Sequence, residues 1–152
     1  MYKLVLLLLL CNCRAVAITD ELNTQVSDIL AVYKHEMECP TPRVHISFSR
    51  GTMEEAGYCL RTKRQIVLSY EYWQILSPLG REQLLLHELG HCALGLDHDK
   101  SRSFLRNQRG TYLIPTSIMW HIVIGEDTSY LEFRDYYINQ LAVAGGCIKE
   151  TP

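Results

Sequence analysis

The sequence predicts an α+β domain, and two observations carry that reading. Apolar residues recur at helical spacing in three well-separated stretches: Leu22, Val26, Ile29, Leu30 and Tyr33; the run from Leu84 to Leu94; and Leu131, Ile138 and Leu141. Between the first two lie short runs with strand character, residues 44–48, 58–62 and 65–70. Strands grouped together, not alternating one for one with helices, belong to the α+β class. The 152 residues suit one domain, and a composition of 47% hydrophobic and 21% charged residues is that of an ordinary globular chain. With a formal net charge of −2 and no run of Lys or Arg, nothing marks a nucleic-acid partner.

Residues 1–17 read as a secretory signal peptide. Met1-Tyr2-Lys3 is a short basic start, residues 4–11 are apolar, and Ala15-Val16-Ala17 is a small-x-small cleavage site. The apolar run falls well short of the about 20 residues a membrane-spanning helix needs, so no stable membrane span is expected. The chain is expected to be secreted or periplasmic, with residues 18–152 as a single domain. A lipoprotein signal with Cys11 or Cys13 lipidated ranks second, because Leu10 and Asn12 are poor residues before the modified cysteine. Cleavage leaves Cys39, Cys59, Cys92 and Cys147, an even number consistent with two disulfides and open to three connectivities. In a reducing compartment the same four would be buried thiols.

The elements follow in order. Thr19 caps a helix through about residue 35, with Asp20 and Glu21 in its first turn. Pro40 and Pro42 break the chain before a strand at 44–48, where His45 falls on the polar, solvent-facing side. Residues 51–57 form a loop, and 58–62 and 65–70 form a hairpin turning near Lys63. Residues 71–76 make a short helical turn. Ser77 as N-cap and Pro78 at the first helical position open the next helix. Residues 99–116, with Lys100, Arg102, Arg106 and Arg109, are expected to be an irregular solvated loop. Ser129 and Glu132 are spaced as a capping box for the last helix, which Gly145-Gly146 ends.

Chemistry concentrates at His87-Glu88-Leu89-Gly90-His91-Cys92-Ala93-Leu94-Gly95-Leu96-Asp97-His98. On a helix, His87 and His91 are one turn apart on one face, a pairing that suits Zn²⁺. Glu88 lies beside them as a candidate general base for an attacking water. Gly95 can take the positive φ that reverses the chain and returns His98 as a third ligand. Three protein ligands leave a fourth position open, the mark of a catalytic and not a structural site. The bland alternative is a core helix whose histidines bond to backbone. The flanking Leu84-Leu85-Leu86 and Ala93-Leu94 argue against it, because they bury the polar side chains among apolar ones, where a metal would satisfy them together.

With Ser117-Ile118-Met119 downstream, this HExxHxxxGxxHD pattern resembles the metzincin clan of zinc endopeptidases, whose members carry a methionine in a tight turn beneath the metal. Gly-Leu-Asp-His is similar to the matrixins, and Asp99 after the last histidine to the adamalysins; the three residues between His91 and Gly95, one more than is usual, occur in archaemetzincins. The resemblance covers roughly residues 81–121. It implies a small metzincin-like zincin: a twisted sheet with an active-site helix, a Met-turn at Met119 and a C-terminal helix. It implies one catalytic Zn²⁺ held by His87, His91 and His98, Glu88 as catalytic base, and a peptide or protein substrate lying along a strand edge at 57–62. Counted from His91 the third ligand would be Asp97. Counted from Gly95, whose conformation sets the turn, it is His98, with Asp97 pointing away. Trp120, Ile122, Val123 and Ile124 would wall an apolar specificity pocket. His121 occupies a place where some members carry a transition-state tyrosine, an ordinary exposed histidine being the alternative. Packing of the hairpin on the active helix would pair Cys59 with Cys92, leaving Cys39 for Cys147. With no propeptide or cysteine-switch motif in view, the enzyme would be made active or restrained by a protein inhibitor. Readings from other classes are a non-catalytic zinc-stabilised binding domain, against which Glu88 argues, and a surface lipoprotein that retains the fold.

Overall fold

The computed structural model describes residues 14–15, 19–51, 53–120 and 128–148. Most of the expected signal peptide, and His121, Ile122, Val123 and Ile124, lie outside the described residues. The domain is a mixed α+β structure. A four-stranded sheet runs in the order β1-β2-β4-β3, from Arg14–Ala15 (β1), His45–Arg50 (β2), Gly57–Leu60 (β3) and Gln65–Ser69 (β4). β2 and β4 are parallel, paired from His45↔Gln65 to Ser49↔Ser69; β1 and β3 flank them antiparallel, so β3 forms one edge. A single 3₁₀ turn, Arg61–Lys63, joins β3 to β4, with Arg64 left-handed at φ 49°.

Helix α1 (Asp20–His35) starts as the sequence indicates, the Thr19 hydroxyl accepting from the Leu22 amide at 3.3 Å. It buries Leu22, Ile29 and Tyr33. The short α2 (Tyr70–Ile75) buries Trp73 edge-on to Phe48 of β2, with ring centroids 5.3 Å apart, and the Trp73 indole N–H donates to Gln25 Oε1 at 2.7 Å. A buried tryptophan is thereby both packed and satisfied.

Helix α3 (Pro78–Cys92) is the centre of the molecule. Ser77 caps it, accepting from the Gly80 amide, and the helix is buried almost continuously from Glu82 to Gly90. Leu84, Leu85, Leu86 and Leu89 enter the core with Ile66 and Leu68 of β4. A helix apolar on every side must be covered on every side.

Residues 99–116 depart from expectation. They form a regular antiparallel hairpin, β5 (Arg102–Asn107) and β6 (Gly110–Pro115), not an irregular loop. Period-2 alternation is present, but the outward face mixes Arg with Phe and Leu, so polarity does not separate the two faces. Asn107 Oδ1 accepts from the Arg109 and Gly110 amides and closes the turn. The C-terminal helix also differs: it is divided into α4 (Thr128–Glu132) and α5 (Arg134–Ala144). Ser129 lies inside α4 and not at its start, and the Glu132 carboxylate bonds to Asn107 and Arg109 of the hairpin turn.

Both disulfides join the residues expected. Cys59–Cys92 links β3 to the last residue of α3, and Cys39–Cys147 links the segment after α1 to the segment after α5. Arg134 binds Glu82 of α3 with Nε at 2.7 Å and Nη2 at 2.9 Å, while its Nη1 reaches Glu36 after α1 at 2.7 Å. Tyr130 donates to the same Glu82 at 2.9 Å. Among the described residues no helix is long and apolar enough to cross a membrane.

Candidate metal centre

His87 and His91 face the same way from α3, as one turn of separation requires. The helix ends at Cys92, and Gly95 then takes φ +71°. A side chain at Gly95 would meet nothing within 4 Å, so the glycine is there for its conformation and not for lack of space. The Leu96 amide returns to the Gly90 carbonyl at 2.9 Å, and the reversed chain brings His98 back over the helix. The three Nε2 atoms lie 3.2, 3.2 and 3.1 Å from one another. Asp97 points away, as the glycine-anchored count expects, and its carboxylate pairs with Arg61 at 2.6 Å.

The nitrogens suit a cation on chemical grounds. A backbone carbonyl only accepts, so His87 Nδ1, 2.8 Å from the Ile118 carbonyl, and His91 Nδ1, 2.7 Å from the Leu96 carbonyl, both carry the proton. Burial pushes the His87 imidazole down to about 4, so at neutral pH its Nε2 bears a lone pair. His91 Nε2 faces it 3.2 Å away, and a cation between the two nitrogens would take a lone pair from each. Nitrogens bound at about 2.0–2.1 Å to a tetrahedral ion are roughly 3.3 Å apart, close to the spacing found. Carbonyl partners on the far nitrogen are the usual means of fixing metal-binding imidazoles. His87, His91 and His98 therefore form a group that could hold a metal ion.

Glu88 lies beside this group with 4% of its surface exposed. Among the described residues its Oε2 is buried without a hydrogen-bond partner. Burial, and secondarily the charge of Glu55, raise the carboxyl to about 7. Both groups line an open cleft of about 650 Å³, bounded by the β3 edge from Gly57 to Cys59, with Glu54, Glu55 and Tyr72 on its walls. No protein-family model, curated protein or solved structure matches this chain.

Met119 lies beneath α3, 2% exposed, in a turn held by the Ser117 hydroxyl accepting its amide at 3.0 Å. Its carbonyl accepts from the Asp99 amide at 2.9 Å, tying this turn to the residue after His98. A Cβ on Gly90 would fall 2.3 Å from Met119 Sδ. That close approach was hidden in the sequence, where Gly90 is one of the two unspecified positions of HExxH. Its signal was a glycine inside a helix, which costs about 1 kcal/mol against alanine and so calls for a packing reason. Arg61 carries no comparable signal in the sequence: its Nη2 donates to both Asp97 and the Leu96 carbonyl, joining the turn after β3 to the loop that carries His98.

Proposed function

We propose that the protein is a secreted zinc-dependent endopeptidase with a metzincin-like fold and centre. The observation that carries this reading is the buried, unpartnered Glu88 carboxyl oxygen beside three converging imidazole nitrogens. A purely structural metal site has no use for such a group. Met119 packed under the ligand helix and the β3 edge along the cleft support the same reading. The two disulfides support an oxidising location.

A Zn²⁺ held by His87, His91 and His98 supplies Lewis acidity, polarising a carbonyl and easing the deprotonation of water near pH 7. The chain's own residues do the rest. His87 and His91 are held in fixed rotation by the Ile118 and Leu96 carbonyls. Glu88 takes a proton from the attacking water and delivers it to the leaving amine. Burial favours the protonated form of Glu88 and a bound zinc would favour the carboxylate, opposing pulls that suit a group which must accept and then release a proton. An extended peptide pairs with the open edge of β3, which aligns a scissile bond over the centre by main-chain hydrogen bonds.

The test joins metal analysis with cleavage profiling on a peptide library. Wild-type protein is expected to hold one equivalent of zinc and to cut peptides internally. Glu88→Ala is expected to keep the zinc and lose at least ~10²-fold in turnover, the loss typical of a missing general base. Turnover at the wild-type rate in that variant, or no turnover by the zinc-loaded wild type on any library member, would overturn the proposal.

A further inference from the structure

The β5–β6 hairpin carries a surface that the proposed chemistry does not use. Its inward side chains, Leu105, Tyr112 and Ile114, pack on the core, and Tyr112 meets Phe133 edge-on at 5.9 Å. Its outward face pairs Phe104 with Leu113 across the strands and Arg106 with Thr111, with Arg102 at the end of the row. Phe104 is 75% exposed and Leu113 50%. Residues 100–116 contain Lys100, Arg102, Arg106 and Arg109 and no Asp or Glu, in a chain whose formal net charge is −2. Arg109 is engaged by Glu132 and Arg102 lies over the Trp120 ring at 5.2 Å, which keeps the Arg102 charge at the surface.

We propose that this hairpin face docks on an anionic phospholipid surface. The combination selects the partner. A polar acidic partner would leave Phe104 and Leu113 against water, and a purely apolar one would bury the flanking guanidinium groups unpaired. A bilayer interface takes both. The apolar pair enters at the boundary between headgroups and acyl chains, and the Arg and Lys side chains lie along that surface with their charges among the phosphates. The hairpin springs from the residues just after His98 and rejoins the chain just before Met119, through the Asp99 amide on the Met119 carbonyl and the Thr116 amide on the Ser101 carbonyl. The inference does not depend on hydrolytic activity.

Flotation of the full protein with vesicles tests it. Binding to phosphatidylcholine containing a third phosphatidylserine is expected to exceed binding to phosphatidylcholine alone by at least ~10-fold and to weaken with added salt. Arg102→Gln with Arg106→Gln is expected to reduce it by roughly 25-fold, at about fivefold per cation. Phe104→Ser and Leu113→Ser are each expected to reduce it by about tenfold, the scale of burying one apolar side chain. Both side chains are exposed, so these variants should fold, and the disulfide map of each checks that. Equal partition into the two kinds of vesicle overturns the proposal. So does phosphatidylserine binding that Phe104→Ser and Leu113→Ser leave unchanged, which would mark a general polyanion site. A dimer in solution that Phe104→Ser dissociates, without vesicle binding, would assign the face to a second copy of the chain and equally overturn it.

Discussion

Single residues decide whether the three imidazoles converge. Gly90 is the least forgiving. Gly90→Ala would force its new Cβ against Met119 Sδ and close to Leu141 Cδ1, so the buried methionine side chain must give way or α3 must shift. A loss of about 1–3 kcal/mol is expected from such overpacking, read as a lower midpoint of unfolding, together with weaker zinc binding because His87 hangs from the Ile118 carbonyl in the same turn. The two residues after Leu96 should separate cleanly. His98→Ala is expected to lower zinc affinity sharply, whereas Asp97→Ala should leave metal content near wild type, since Asp97 is exposed and its partner is Arg61. Arg61→Ala should fall between them, because it also removes a donor from the Leu96 carbonyl that orients His91. Equilibrium zinc titration of the three variants ranks them; an Asp97 variant weaker than the His98 variant would refute the assignment of the third ligand.

Elements are tied together by a few long-range polar links and by disulfides, and these respond to solution conditions. The Arg134 fork holds Glu36 below the ordinary glutamate value of 4.5. A folded carboxyl with a depressed pKa contributes stability that is present above 4.5 and lost as pH falls through the folded value, because the unfolded chain takes up the proton first. Glu36→Gln is therefore expected to be less stable than wild type at neutral pH, with a shallower decline on acidification, as urea unfolding midpoints across the acid range would record. Glu36 is largely solvated, so the effect should shrink in high salt. The elements were unequally legible in sequence. Thr19 and Ser77 announced their helices because a capping hydroxyl beside an apolar period has one common meaning. The convergence of His87 and His91 was legible because helix spacing puts both on one face, and that of His98 because Gly95 reverses the chain after the helix. The hairpin was not, since Arg102, Phe104 and Arg106 share its outer face and mask the alternation. Nor was the break at Phe133, where Tyr130 and Arg134 turn toward Glu82, a residue 48 and 52 positions earlier in the chain.

At the scale of the whole molecule, metal and fold should be linked. The three histidines come from α3 and from the loop after it, and the carbonyls that orient His87 and His91 come from the Met119 turn and from that loop. An ion bound only by the folded state stabilises it in proportion to the logarithm of its excess over Kd, about 4 kcal/mol at a thousandfold excess. Removing zinc with a chelator is expected to lower the unfolding temperature of the wild type by several degrees and that of His98→Ala by much less, which calorimetry can resolve. The two disulfides have a further effect, on the chain as a linear object. Cys59–Cys92 closes a ring inside the larger one closed by Cys39–Cys147, whose ends are 108 residues apart. A single backbone cut at any point between residues 40 and 146 therefore yields no separate fragment. If copies of this protein nick one another, the nicked population will migrate as one species on a denaturing gel and come apart into two pieces only when a thiol is added.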